Sequence, residues 1–381
     1  MRRSRVTTLA AVALTGALAL AGCAKDTGGG STPPAGGNQA ESCKKNPVPT
    51  GGSGSAAGST SAGPKVDASA LKVGLAYDIG GRGDASFNDS AAAGLDKAKA
   101  DMGLKETKEL TAAPNEPEDA KQSRLRQLAQ EGFNPIIAVG FAYAKSVEAV
   151  ATQFPNTKFA VVDDDTVKLP NVTGLVFAEE QGSFLVGVAA VYKSKNCHVG
   201  FVGGVNVPLI QKFQAGFEQG VKAASNDAKI EAEYITPAGD FTGFQDPAKG
   251  NVVAAGEISR GADVIYQAAG ASGKGVFEAA KSKNALAIGV DSDQYNQKTV
   301  ENSRDVIITS MLKRVDVAVY DYVRAVAGNT LASLPKRFDL KADGVGYATS
   351  GGKIDDIKAT LDAYKQQIID GKITVSDKPS N

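Results

Sequence analysis

Residues 72–90 read KVGLAYDIGGRGDASFNDS. The apolar run over 73–77 predicts a short buried strand. A glycine-rich turn follows, carrying Asp78, Asp84, Phe87 and Asn88, and then a helix begins. In an open α/β sheet such a turn lies at the carboxyl end of a strand, where ligands bind. The stretch therefore predicts half of a small-molecule site, with the other half supplied by a second copy of the same architecture.

Downstream, Ala91, Leu95, Ala98 and Met102 recur at the spacing of one helix face. Leu125, Leu128 and Ala129 mark a second helix, residues 136–139 a strand, and Val147, Val150, Ala151 and Phe154 a third helix. Residues 159–162 form another apolar run, ending at Asp163. Apolar runs alternating with helical patterns predict a parallel sheet covered on both faces.

The same order then recurs. Val73-Gly74, Phe87 and Gly94 are matched by Val199-Gly200, Phe213 and Gly220, each 126 residues later. PIIAVG at 135–140 answers ADVIYQ at 262–267, and KFAVVD at 158–163 answers ALAIGVD at 285–291, pairing Asp163 with Asp291. Four matches in order argue for two similar α/β lobes. Leftover elements after the second repeat imply that the chain crosses between lobes more than once, which makes a hinge around a ligand cleft. Residues 67–178 and 300–332 are assigned to the first lobe, 179–299 and 333–350 to the second, and 351–381 to a last helix and tail.

The 381 residues are enough for two domains, and 42 Lys and Arg balance 42 Asp and Glu. No basic stretch is interleaved with aromatics, which argues against a nucleic-acid partner. Residues 1–22 have a basic start (Arg2, Arg3, Arg5) and an apolar run too short to span a membrane, the pattern of a secretion signal. Leu20-Ala21-Gly22-Cys23 resembles the bacterial lipobox, which implies cleavage before Cys23, acylation of its sulfur and a stable membrane anchor. Loss of residues 1–22 leaves 39 basic against 42 acidic side chains, a net charge of −3. Residues 23–66, rich in Gly, Ser, Thr, Ala and Pro, predict a disordered tether of roughly 35 Å root-mean-square span. Cys43 and Cys197 form an even pair that an oxidising exterior can bridge; a linker thiol and a buried thiol are the alternative.

Strand carboxyl ends from both lobes place acids, glycines and aromatics in the cleft, without a nucleophile beside a partnered base. Gly81-Arg82-Gly83-Asp84-Ala85-Ser86 fits only part of the dinucleotide fingerprint. Residues 270–275, GASGKG, lack the spacing of a phosphate loop. Arg82-Gly83-Asp84 spells a cell-adhesion tripeptide, too short to carry weight. No cofactor loop and no metal-ligand spacing is present, so neither a cofactor nor a metal is expected.

AYDIGGRGDASFN, AVGFAYA, EEQGSFLVG, VGFVGGVNVPLIQKFQAGF, FQDPAKG, YQAAGASGKGVFEAAK, GVDSDQ and SMLKRVDVAVY, in this order, resemble the basic membrane protein family of bacterial lipoproteins. The resemblance runs from about residue 72 to 346. It implies a type I periplasmic-binding-protein fold, α/β with two Rossmann-like lobes, serving as the nucleoside receptor of an ABC importer. By the same resemblance Phe87 and Phe244 sandwich a base, Asn88 reads its edge, and Asp78 accepts from base or ribose. Asp291 takes two ribose hydroxyls, Lys313 lies near the ribose, Gly270 lets its backbone approach, and Asp163 is similar in position. Ala178 departs from the pattern, where a larger and often basic residue is expected, so no ligand contact is carried over for that segment. The expectation is a monomeric lipoprotein on the extracytoplasmic face of the cell membrane that hands a purine nucleoside to its permease. The alternatives are a sugar receptor of the same fold, or an extracytoplasmic enzyme acting on a nucleoside with Asp78 and Asp291 as acid and base.

Overall fold

A computed structural model describes residues 43–50 and 66–379. The signal segment, the lipid attachment expected at Cys23 and most of the expected tether lie outside the described residues. Among the described residues no helix is long and apolar enough to cross a membrane.

The first lobe is built as its periodicity predicts. Strand β1 (Lys72–Tyr77) is buried from Val73 onward, and α1 (Phe87–Met102) buries Ala91, Leu95, Ala98 and Met102 against it. The helix stops at Gly103, whose φ of 68° supplies the left-handed cap. Strand β2 (Glu106–Thr111), α2 (Glu118–Gln130), β3 (Ile136–Ala138), α3 (Ala144–Gln153), β4 (Phe159–Val162) and β5 (Val172–Leu175) complete the alternation. The five strands are parallel, in the order β2-β1-β3-β4-β5.

The second lobe repeats the plan. Helix α4 (Glu179–Lys193) leads into β6 (His198–Val205), α5 (Pro208–Ala224), β7 (Lys229–Thr236), α6 (Pro247–Ser259), β8 (Val264–Ala268), α7 (Gly273–Ser282) and β9 (Leu286–Asp291). Strand β10 (Ile307–Lys313), α8 (Val315–Ala327), β11 (Val345–Tyr347) and α9 (Lys358–Ile369) follow. Read from β7, the second sheet runs β7-β6-β8-β9-β10, the first sheet's order again, with β11 added antiparallel at the edge. The duplication legible at an offset of 126 residues is thus a duplication of sheet topology.

The repeated glycines have one job in both lobes. A Cβ on Gly94 would lie 2.4 Å from the carbonyl oxygen of Asp316 on α8, and one on Gly220 would lie 2.0 Å from that of Phe184 on α4. Each glycine therefore lets the first helix of its lobe touch the backbone of a helix that has crossed over. The chain leaves β5 for α4 in the second lobe, and leaves β10 for α8 in the first. A third crossing runs beside the first: the Phe338 N–H donates to the Val176 carbonyl, and the Ala178 N–H to the Phe338 carbonyl. The rings of Phe177 and Phe338 pack 5.3 Å apart at this point.

Two expected boundaries change. Residues 300–332 do not stay together: β10 pairs with β9 and β11 in the second sheet, and only α8 returns to the first lobe. A strand adds to whichever edge its register matches, whereas a helix packs where its apolar face is covered. The tether expected over 23–66 also contains folded chain. Residues 43–50 lie on the second lobe, joined to it by a Cys43–Cys197 disulfide. Its carbonyl-capping contacts, not a hydrophobic run, hold this segment, so its composition gave no sign of order.

Gly94→Ala and Gly220→Ala are each expected to lower the unfolding free energy by about 1–3 kcal/mol, the usual range for overpacking. Gly346→Ala, whose Cβ would meet nothing within 4 Å, is expected to cause no loss. Urea denaturation of the three variants checks this.

Candidate functional site

Both sheets have the strand order in which the chain reverses direction between the first and third strands, and the crevice opens at that point. The two crevices face one cavity. From the first lobe come Asp78 and Ile79 after β1, Asp84, Phe87 and Asn88 from the turn into α1, Gly140 and Phe141 after β3, and Asp163 after β4. From the second come Leu209, Ile210 and Phe213 on α5, Phe244 after β7, Gly270 after β8, Asp291 ending β9 and Lys313 ending β10. All eight residues singled out in the sequence for a ligand, Asp78, Phe87, Asn88, Asp163, Phe244, Gly270, Asp291 and Lys313, line this cavity. The cavity volume is about 70 Å³. The space is a narrow slot rather than a bowl.

Local sequence explains how the side chains are held. Asp84 accepts the backbone N–H groups of Ser86 (2.9 Å), Asn88 (2.8 Å) and Asp89 (3.1 Å), so it caps α1 rather than offering a free carboxylate. Asp89 accepts from Gly83 and Ala85 in return. Arg82 is held by Asp96 and Glu109, so the Arg-Gly-Asp tripeptide is consumed in structure. The Asn88 amide donates to the Ile79 carbonyl at 3.2 Å, which fixes its orientation, and its Oδ1 is buried without a partner. Asp78 accepts from the Ile79 N–H at 2.8 Å with one oxygen. Its other oxygen lies where a Cβ on Gly140 would sit 2.6 Å away, and Gly140 has a φ of 113°, so that position requires glycine. Across the cleft, the Phe244 ring lies on Gly204, where a Cβ would come within 2.4 Å of it.

The two lobes also touch directly. Ser86 Oγ donates to Asp291 Oδ2 at 2.6 Å, Ser292 Oγ donates to the Ser86 carbonyl at 2.7 Å, and Gln294 Nε2 donates to that of Ala85 at 3.0 Å. Ala85 is buried in a cluster with Phe277, Ala280 and Ala287 of the second lobe. The turn that carries Phe87 and Asn88 is therefore also a contact across the cleft.

At the floor of the slot, buried Lys313 reaches Asp163 at 2.7 Å and Glu179 at 3.2 Å. Phe87, Phe177 and Phe213 place their ring centroids 5.2, 5.2 and 5.3 Å from its Nζ. Burial alone would discharge the ammonium, but Asp163, Glu179 and Asp291 more than offset it and hold its pKa above the ordinary lysine value. Burial pushes Asp163 up to about 7, against the pull of Lys313, and pushes Asp291, Asp78 and Asp84 up to about 6. The cavity wall is acidic, with one cation. Among the described residues no group of three or more His, Cys, Asp or Glu is placed to hold a metal.

Phe213, Ile210 and Phe141 had no role assigned from sequence. Phe213 is the repeat partner of Phe87, and that equivalence was the available signal. Asp246 caps α6, accepting the Lys249 N–H at 3.0 Å, with Pro247 in the first turn. His198 hydrogen-bonds Glu231 at 2.9 Å on β7, away from the cavity.

Residues 70–378 match the family model described as Bmp, ABC transporter substrate-binding protein PnrA-like. The chain belongs to the Bmp family. Its relatives include a CD4+ T-cell-stimulating antigen of Listeria monocytogenes, 37% identical over 81% of this chain and 88% of that protein. The ABC transporter nucleoside-binding protein BmpA of Lactococcus lactis is 32% identical over 81% of this chain and 90% of its own length. Among solved structures, an ABC transporter system solute-binding protein from Aeropyrum pernix superimposes with a TM-score of 0.70 at 27% identity, over 82% of this chain and 94% of that one. The fold of this Bmp-family chain is that of type I periplasmic solute-binding proteins, as expected from the sequence.

Lys313→Met leaves Asp163 buried beside Glu179 without its counter-charge, and leaves Glu179 only the more distant Lys212, 3.9 Å away. It is expected to cost about 3–5 kcal/mol of stability at pH 7.5, the range for a broken buried ion pair. Asp163 has a raised pKa, so its own contribution to stability is full in acid and is lost as pH rises through about 7. The variant's deficit therefore shrinks at pH 5, where Asp163 takes up a proton. Urea unfolding at the two pH values checks this, and an equal deficit at both contradicts it.

Proposed function

We propose that this Bmp-family chain is a lipid-anchored receptor that captures a purine nucleoside between its lobes and presents it to an ABC importer permease. The observation that carries the reading is the orphaned acceptor of Asn88, buried in an aromatic slot. A buried acceptor without a partner costs about 1–3 kcal/mol, and an N–H donor on a bound base recovers it. Phe87 and Phe244 supply rings for a flat base, a contact of about 1–3 kcal/mol. Asp291, oriented by Ser86, supplies a carboxylate for the two ribose hydroxyls. The acidic wall favours a neutral, donor-rich ligand over a nucleotide, whose phosphate would meet Asp78, Asp163 and Asp291. The nucleoside-binding relative in Lactococcus lactis supports the same ligand class.

In this mechanism the protein breaks no bond in its ligand. The lobes turn on three crossings, close on the nucleoside, and open against the permease. The membrane attachment is the acylated Cys23, and the receptor acts as a monomer on the extracytoplasmic face.

Calorimetry is expected to show guanosine, inosine or adenosine binding at least a hundredfold more tightly than ribose or the corresponding monophosphates, with no free base released. Ribose binding as tightly as the nucleosides, or free base appearing with turnover, overturns the reading. Phe87→Ala is expected to weaken binding by about 5- to 150-fold, the equivalent of one lost stacking contact, while leaving the unliganded melting temperature nearly unchanged. A large drop in that temperature would make Phe87 a core residue instead.

The pH dependence has a definite sign. Ribose hydroxyls donate to ionised Asp291, whose carboxyl is pushed up to about 6 by burial. Affinity is therefore expected to rise between pH 5 and 7 and to level off above. Titration of the same nucleoside across this range checks it, and Asp291→Asn is expected to show a smaller rise than the wild type, because it lacks this carboxylate.

A further inference from the structure

Residues 43–50 are attached to one lobe only. Cys43 is bonded to Cys197, immediately before β6, with the two Cα atoms 4.8 Å apart. The Asn46 N–H donates to the Ala224 carbonyl at 2.8 Å, and its side-chain amide to that of Lys222 at 3.0 Å. These are carbonyls of the last turn of α5, which have no partner within the helix. Lys45 donates to the Val191 carbonyl at the end of α4, where a cation also suits the helix dipole. Gln367 on α9 donates to the Thr50 carbonyl at 3.0 Å. Every one of these partners is in the second lobe, although the first lobe comes next in sequence: its first contact is the Ala68 N–H on the Met102 carbonyl.

We propose that the chain preceding Cys43 is held by the second lobe, so that whatever restrains residues 1–42 restrains that lobe and leaves the first lobe free to move. The consequence for a membrane-attached receptor rests on the reading of Cys23 as lipidated. The effective tether then ends at Cys43 rather than at residue 66. Residues 51–65, GGSGSAAGSTSAGPK, join a point on the second lobe to the start of the first. The sixteen steps from Thr50 to Val66 have a contour length of ~55 Å. They carry no load. A cut within 51–65 therefore leaves the receptor attached, and only reduction of the disulfide releases it. In that step a dithiol reductant closes to its own disulfide, and Cys43 and Cys197 each take up one of its hydrogens.

The test inserts a site-specific protease sequence into residues 51–65 of the full chain, expressed in a bacterium that processes lipoproteins. After cleavage, membranes are sedimented with and without dithiothreitol, and the soluble and membrane fractions are run on non-reducing gels. The expected result is that cleaved protein stays in the pellet without reductant and moves to the supernatant with it. Cys197→Ser is expected to be released by cleavage alone. Release of cleaved wild-type protein without reductant overturns the proposal. If uncleaved protein is already in the supernatant, the lipid-anchor reading fails, and the gel then decides the proposal by itself. An N-terminal fragment that stays bound to the fold until reduced supports it, and one that separates without reductant overturns it.

Discussion

The structure turns on the ion pair between Lys313 and Asp163, with Glu179 as the second carboxylate. Each member belongs to a different piece of the machine. Lys313 ends β10 where the chain crosses back to the first lobe, and Glu179 opens α4 just after the chain has crossed out of it. Asp163 ends β4 in the first lobe. One buried ammonium thus fastens two of the three crossings to the sheet of the opposite lobe. A buried ion pair contributes little net stability against an apolar alternative, but removing one partner is expensive. Its value here is positional: three phenylalanine rings gather around the same nitrogen, and two of them, Phe87 and Phe213, line the slot. Hinge and ligand cavity share a single charged atom.

That arrangement follows from the duplication. Phe87 and Phe213 are equivalent residues of the two lobes, as are Gly94 and Gly220. Phe87 opens α1 and Phe213 lies in the second turn of α5, and both line the cleft, one from each lobe; the glycines let those helices lie against helices that have crossed over. Asp163 and Asp291, also matched, both sit in left-handed conformations at the ends of their strands, with φ of 70° and 63°. The copies diverge where function requires an asymmetric ligand. Asp163 is committed to Lys313, whereas Asp291 is oriented by a serine from across the cleft.

Much of this was legible in the sequence because it is carried by period and repetition. Apolar runs become buried strands, the helix stripes become core faces, and strand ends become cavity wall. The eight candidate residues came together because all lie at strand ends or at helix starts beside them, and a parallel sheet gathers such positions on one side. What stayed hidden depends on contacts between distant residues that leave no local pattern. The pairing partner of β10 is decided by register against β9. The role of Phe213 depends on Lys313, a hundred residues further on. The docking of residues 43–50 rests on capping carbonyl groups, which any sequence offers at a helix end; its one legible sign was the even pair of Cys43 and Cys197, 154 residues apart, which the structure joins.

A slot lined by two lobes, closed by hydrogen bonds between them, and carrying an unsatisfied acceptor is built to retain its ligand. The most direct measurement is therefore the identity of the small molecule that accompanies the full chain through purification, released by denaturation and analysed by mass spectrometry. The account predicts an intact purine nucleoside from the wild-type protein and much less of it from Phe87→Ala. Recovery of a free sugar, or of a purine base without its ribose, would contradict it.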